Sequence, residues 1–173
     1  GSSSESQPGA TMTPVNESGW TPWQSLSPDL LVSEAVLAET LDGGQAFRWQ
    51  SDARNHWLGY FGGVVVCLSL DAQNHLHWSA PVSLAAEVTA ALPLYFQVAA
   101  QRPELVDTLP WRSDPPLARC LAAVPGLRIL RQPFGETLLG FLCSATKQIV
   151  QIKQMLALLS AHPLIHWQSL WLV

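Results

Sequence analysis

The spacing of apolar positions changes twice along this chain, and each change marks a change of predicted structure. Residues 1–28 are rich in Ser, Pro, Gly and Gln and hold no sustained apolar period, so they read as a flexible lead with Trp20 and Trp23 as anchors at its inner end. From about residue 30 to 79 the pattern is mostly that of strands. Residues 37–41 fit a helical turn stopped by Gly43 and Gly44, whose freedom to take positive φ suits a helix exit. Strands are predicted over about 45–51, 56–70 and 74–79, with Gly62-Gly63 breaking the second as a hairpin turn and residues 71–74 forming another turn. Together these give an antiparallel meander with one face available for burial.

Helical spacing then takes over. Residues 81–92 and 114–124 predict short helices, and Pro133 serves as the first residue of a third, with Glu136 in its first turn, where a carboxylate suits the helix dipole. Phe134, Leu138, Leu139 and Leu142 fall on one side of that helix. In the next, Ile149, Ile152, Met155, Leu156 and Leu159 recur at three and four, while Lys147, Gln151 and Gln154 mark a polar stripe. The apolar stretch 161–173 carries two histidines and two tryptophans but no cap or charge, and is expected to lie outside the native core. The predicted class is α+β, sheet first and helices after, in four segments: 1–28, 29–112, 113–160 and 161–173.

A length of 173 residues fits about one domain. With 48% apolar and 13% charged residues the chain is globular rather than disordered. Cys67, Cys120 and Cys143 are odd in number and widely spaced, which implies neither a disulfide framework nor a zinc site and fits a reducing, intracellular setting. The five histidines have no zinc spacing with these cysteines, so no metal is expected. No run approaches the ~18 apolar residues of a membrane helix. A net charge of −4 argues against a strong autonomous nucleic-acid binder, yet the charge is unevenly placed. Arg119, Arg128, Arg131, Lys147 and Lys153 face a single acid, Glu136, in the helical part, so an acidic scaffold carries a basic helical segment.

Two phrases narrow the reading. Gly43-Gly44-Gln45-Ala46-Phe47-Arg48-Trp49 stands early and Cys143-Ser144-Ala145-Thr146-Lys147-Gln148-Ile149 late, with Tyr95-Phe96 and Gly126-Leu127-Arg128-Ile129-Leu130-Arg131-Gln132-Pro133 between them. In this order they resemble the 8-oxoguanine DNA glycosylase family over about residues 37–159. The resemblance implies a TBP-like antiparallel sheet followed by the first helices of a helix-hairpin-helix glycosylase domain. It also implies base-excision repair, by glycosylase and AP-lyase chemistry, of 8-oxoguanine swung out of damaged double-stranded DNA. In the family a lysine attacks the sugar carbon to form a Schiff base, and a later aspartate assists the proton transfers. Neither has a counterpart here: the two lysines, Lys147 and Lys153, come too early in the pattern, and no Asp or Glu follows Glu136. The chain is therefore expected to be an N-terminal portion, inactive alone, monomeric and without cofactor, from a nuclear protein if eukaryotic or a cytoplasmic one if bacterial.

Two site features carry over by position. Gly44 matches the residue whose backbone carbonyl accepts a hydrogen bond from the extra N–H of the oxidised purine; local sequence alone favours a helix-terminating glycine there. Thr146, Lys147 and Gln148 match asparagines that face the opposite strand, and Gln151 stands where some members place an arginine that reads the orphaned cytosine. These four differ from the family pattern, which puts opposite-base selectivity in question, and they also read as the solvated face of an amphipathic helix. Thr146 is the expected cap of that helix, and Lys147, a cation beside its N-terminus, is expected to meet a DNA phosphate. The alternatives are a glycosylase for alkylated purines and a non-catalytic module that binds DNA weakly or serves a structural role.

Overall fold

The computed structural model describes residues 19–99, 106–144 and 148–160. Thr146, Lys147 and the stretch 161–173 lie outside the described residues. The architecture is α+β. Strands β1 (Gln24–Ser25), β2 (Trp49–Ser51), β3 (Trp57–Phe61), β4 (Val64–Leu70) and β5 (Leu76–Ser79) form one sheet in the order β1-β5-β4-β3-β2. Every pairing is antiparallel. Helix α1 (Glu34–Asp42) precedes the meander, and α2 (Ala85–Tyr95), α3 (Pro115–Ala123), α4 (Phe134–Ser144) and α5 (Ile149–Ser160) follow it.

Register explains the core. Trp57 lies opposite Leu68 and Leu68 opposite Trp78, while Trp49 lies opposite Gly59 and Gly59 opposite Val66. Side chains alternate faces along a strand, so these rows stand on one side of the sheet, where Val36, Leu37 and Leu41 of α1 and Val88, Leu92 and Tyr95 of α2 close over them. Trp49, 1% exposed, is the largest fully buried side chain, and its indole donates to the Tyr95 hydroxyl at 3.1 Å. It fits because its strand neighbour is glycine: a Cβ on Gly59 would lie 2.2 Å from the Trp49 ring.

The turns follow their residue chemistry. Gly62 (φ 53°) and Gly63 (φ 84°) are the two central residues between β3 and β4, and positive φ at both positions matches the twist of a two-residue hairpin. Residues 71–74 turn as predicted: the Asp71 carboxylate accepts from the backbone N–H groups of Gln73 and His75, both at 2.9 Å, and Asn74 takes φ 67°. The same device joins β2 to β3. Asp52 accepts from Arg54 and His56 at 2.8 Å, and Asn55 takes φ 61°.

Two expectations are corrected, and the packing face of α4 is resolved. The helix stopped by Gly43 is longer than residues 37–41, because Ser33 caps it by accepting from the Val36 N–H at 3.3 Å. The inner end of the expected flexible lead is structured. Gln24 and Ser25 pair with Trp78 and His77, the Leu26 N–H donates to the Leu76 carbonyl at 2.9 Å, and the Trp23 ring lies 5.6 Å from His56. In α4 the apolar side is the outer one. Gly135, Glu136 and Gly140 are buried, whereas Phe134 and Phe141 are each 72% exposed. The small residues admit a close neighbour: a Cβ on Gly140 would stand 2.8 Å from Phe47 and 3.9 Å from Leu156 of α5.

Gly59→Ala should therefore destabilise the fold by about 1–3 kcal/mol, the usual effect of forcing a methyl into a filled core. Urea denaturation measures this. An unchanged midpoint would show that the Trp49 indole has another place to go.

Candidate functional site

The stretch from Gly44 to Trp49 leaves α1 and enters β2, and its side chains go to different partners. Gly43 closes α1 by donating its N–H to the Glu39 carbonyl at 2.9 Å. Gly44 follows with φ +106°, a backbone conformation that side chains disfavour. It lies where two adjoining clefts of about 600 and 610 Å³ meet, with Phe47 and Ser144 common to both. The first cleft is walled by residues 129–132 and by α4; Gln148, Ile149 and Val150, at the start of α5, wall the second. Gly44 thus follows the helix end directly and brings bare backbone to a concave surface.

Gln45 fixes the strand-like segment that forms the first cleft's far wall. Its side-chain amide donates to the Arg128 carbonyl at 2.7 Å and accepts from the Leu130 N–H at 3.0 Å, the pattern a neighbouring strand would supply. Gln132 returns the contact by donating its side-chain amide to the Gln45 carbonyl. The segment is held from its other side as well. The Arg131 N–H donates to the Tyr95 carbonyl at 2.8 Å, and Gln97 donates to the Ile129 carbonyl at 2.7 Å. Arg128 reaches back to the Phe96 carbonyl at 3.2 Å.

Arg48 forms an internal ion pair. Its guanidinium stands 3.5 Å from the Glu136 carboxylate and 3.8 Å from the centre of the Tyr60 ring. Glu136 is only 8% exposed, so its role is to join α4 to the sheet more than to meet the helix dipole in solvent. Burial pushes its carboxyl pKa up, and Arg48 pulls it the other way.

At the start of α5 the two described site residues meet each other. Gln148 precedes the helix and its carbonyl accepts the Ile152 N–H at 3.0 Å, while the Gln151 side chain reaches back to accept the Gln148 N–H at 3.1 Å. This is the returning half of a capping box. Gln148 also lines the second cleft beside Gly44. Lys153, one turn on, pairs with Asp42 at the end of α1. Among the described residues no group of histidines, cysteines or acids is placed to hold a metal ion.

This arrangement puts the bare Gly44 backbone on an apolar floor between a sheet and a helix start, which suits binding a flat polar group edge-on more than acid–base chemistry. Sequence reasoning gave no role to Gln45, Gln97 or Gln132. The available signal was a glutamine beside helix-ending glycines and another before Pro133, since a primary amide offers the same donor and acceptor as a peptide.

A carboxyl whose folded pKa lies above its unfolded value binds more protons folded than unfolded. The folded state therefore loses stability as pH rises from the unfolded value, about 4.3, through the raised one. Glu136→Gln cannot ionise. The unfolding free energy of the variant should gain on that of the wild type as pH climbs from about 4 toward 7. Parallel urea-denaturation curves across that range would show that Arg48 cancels the burial.

Residues 29–138 match the family model for the 8-oxoguanine DNA glycosylase N-terminal domain. Among solved structures, MBOgg1 in complex with a low affinity DNA ligand aligns with a TM-score of 0.57 at 29% identity, covering 66% of this chain and 38% of MBOgg1. The Clostridium acetobutylicum 8-oxoguanine glycosylase/lyase, in complex with dsDNA containing cytosine opposite to 8-oxoG, aligns at 0.57 and 27% identity, covering 68% and 39%. Its apo-form aligns at 0.56 and 28% identity with the same coverage. The chain spans about two fifths of the length of these structures. With more than half of its residues matched by that one family model, the chain belongs to the 8-oxoguanine DNA glycosylase N-terminal domain family.

Proposed function

We propose that this chain is the lesion-reading portion of a base-excision repair glycosylase and AP lyase for 8-oxoguanine in duplex DNA, without catalytic power of its own. The observation that carries the reading is Gly44. It combines a φ of +106° with a position at the meeting of two clefts, beside the start of α5. A purine edge in the cleft can reach the backbone there because no Cβ intervenes. The Gly44 carbonyl is the acceptor for the N–H that oxidation adds to the base, and normal guanine has no hydrogen to offer at that position.

The opposite strand is met by the start of α5, with Thr146, Lys147, Gln148 and Gln151 as contacts. Free N–H groups at a helix start attract phosphate, and Lys147 adds charge. The Gln151 side-chain oxygen accepts the Gln148 N–H, which holds the side chain at the helix start and leaves its NH2 group as the donor toward the orphaned cytosine.

Binding should be weak and salt-sensitive. Lys147→Glu should lower duplex affinity and reduce the slope of log K against log salt by about 1, whereas Arg54→Glu, in the acidic sheet region, should change little. Equal effects from the two would reduce binding to diffuse charge attraction and remove Lys147 from the interface.

Of the two lysines, Lys153 is paired with Asp42. Borohydride treatment of the pure chain with an 8-oxoguanine duplex should leave no protein attached to DNA. A trapped adduct would show that the chain is a lyase by itself.

A further inference from the structure

We infer that Gln45 and Gln132 are positioning residues that aim the Gly44 carbonyl, and that they set how sharply this site separates an oxidised purine from an unmodified one. The inference rests on the reading of Gly44 as lesion acceptor and adds what holds that acceptor still.

A glycine at φ +106° has wide freedom of its own, so the direction of its carbonyl depends on what fixes the next residue. Gln45 is fixed at two points. Its side-chain amide spans the Arg128 carbonyl and the Leu130 N–H, at 2.7 and 3.0 Å, and its own carbonyl receives the Gln132 amide. The wall it grips is itself tied to the end of α2 through Arg131 to Tyr95 and through Gln97 to Ile129. Tyr95 is in turn bonded to Trp49 at 3.1 Å. The peptide between Gly44 and Gln45 is thereby referenced to the core on one side, and α1 fixes the other through the Gly43 N–H.

The amide is the required chemistry. The Gln45 side chain donates to a carbonyl and accepts from an N–H at once. Methionine has the length without either function. An ionised glutamate can accept from Leu130 but sets a negative oxygen against the Arg128 carbonyl, whereas a protonated glutamic acid restores one donor and one acceptor.

The test measures affinity, by fluorescence anisotropy at low salt, for two duplexes that differ only in 8-oxoguanine or guanine opposite cytosine. The wild type should prefer the oxidised duplex by about fivefold, the scale of one net hydrogen bond. Gln45→Met and Gln132→Met should bring the ratio to about one, with affinity for the undamaged duplex changed by less than about twofold. Gln45→Glu should lack the preference at neutral pH and regain it as the new carboxyl protonates toward about pH 5. The wild type is the control for the charged neighbours Arg128, Arg131 and Glu136, and its ratio should stay flat. That recovery within one folded protein separates positioning from a general loss of structure, even if the methionine variants fold poorly.

A wild-type preference that survives in Gln45→Met and Gln132→Met, or a Gln45→Glu ratio that ignores pH, overturns the inference and leaves the reading of Gly44 in place. Equal affinity of the wild type for both duplexes overturns that reading, and the inference falls with it.

Discussion

The peptide groups of residues 128–131 have no strand beside them, and the fold is organised around meeting that need. A buried or half-buried backbone group without a partner carries a desolvation penalty of about 1–3 kcal/mol, so an extended segment leaving a helix must find bonds wherever the surroundings offer them. Here glutamine side chains supply most of them. Gln45 serves the Arg128 carbonyl and the Leu130 N–H, Gln97 serves the Ile129 carbonyl, and the Tyr95 carbonyl receives the Arg131 N–H. The segment can then deliver Leu130 to the core and turn directly into α4. Gln97 accepts φ +49° at the exit of α2, a position glycine usually fills, and its side chain makes a bond that glycine could not.

The phrase from Gly44 to Trp49 works because consecutive residues in an irregular entry to a strand are not held to one face. Gly44 goes to the clefts, Gln45 to the extended segment, Phe47 to Gly140, Arg48 to Glu136 and Trp49 to the core. Five neighbours in sequence thereby connect the sheet to α4 and to the 128–131 wall. A change at any of them reaches Gly44 by a short route, which makes effects on the cleft and effects on stability hard to separate at these positions.

Much of this was legible in the sequence. Aromatic and β-branched content between turn residues located β3, β4 and β5, Gly62-Gly63 located a hairpin turn, and Asp114 and Pro133 located helix starts, because each signal is local and self-sufficient. Motif order singled out Gly44 as a candidate, while its place at the joint of two clefts depends on residues more than eighty positions away and could not be read. The glutamine bonds were invisible for the same reason. The orientation of α4 was not legible, since the sequence shows an apolar side without showing where it faces, and such a stripe ordinarily faces inward. Here glycines make the closer contact, and Phe134, Leu138, Phe141 and Leu142 are left outside.

That inversion is also what makes the first cleft. Phe47 needs room against α4, and only a face with Gly140 on it lets the ring approach without meeting a side chain. Had the helix turned its leucines inward, it would sit farther from β2, and the Arg48 to Glu136 distance of 3.5 Å could not be kept. With the glycine face inward, Phe134 and Phe141 line the cleft that ends at Gly44, and Glu136 sits at its back with its charge balanced by Arg48. The outward apolar surface and the cleft are therefore two results of one choice of helix face: the small residues that bring α4 close enough to wall the site leave the large ones in solvent.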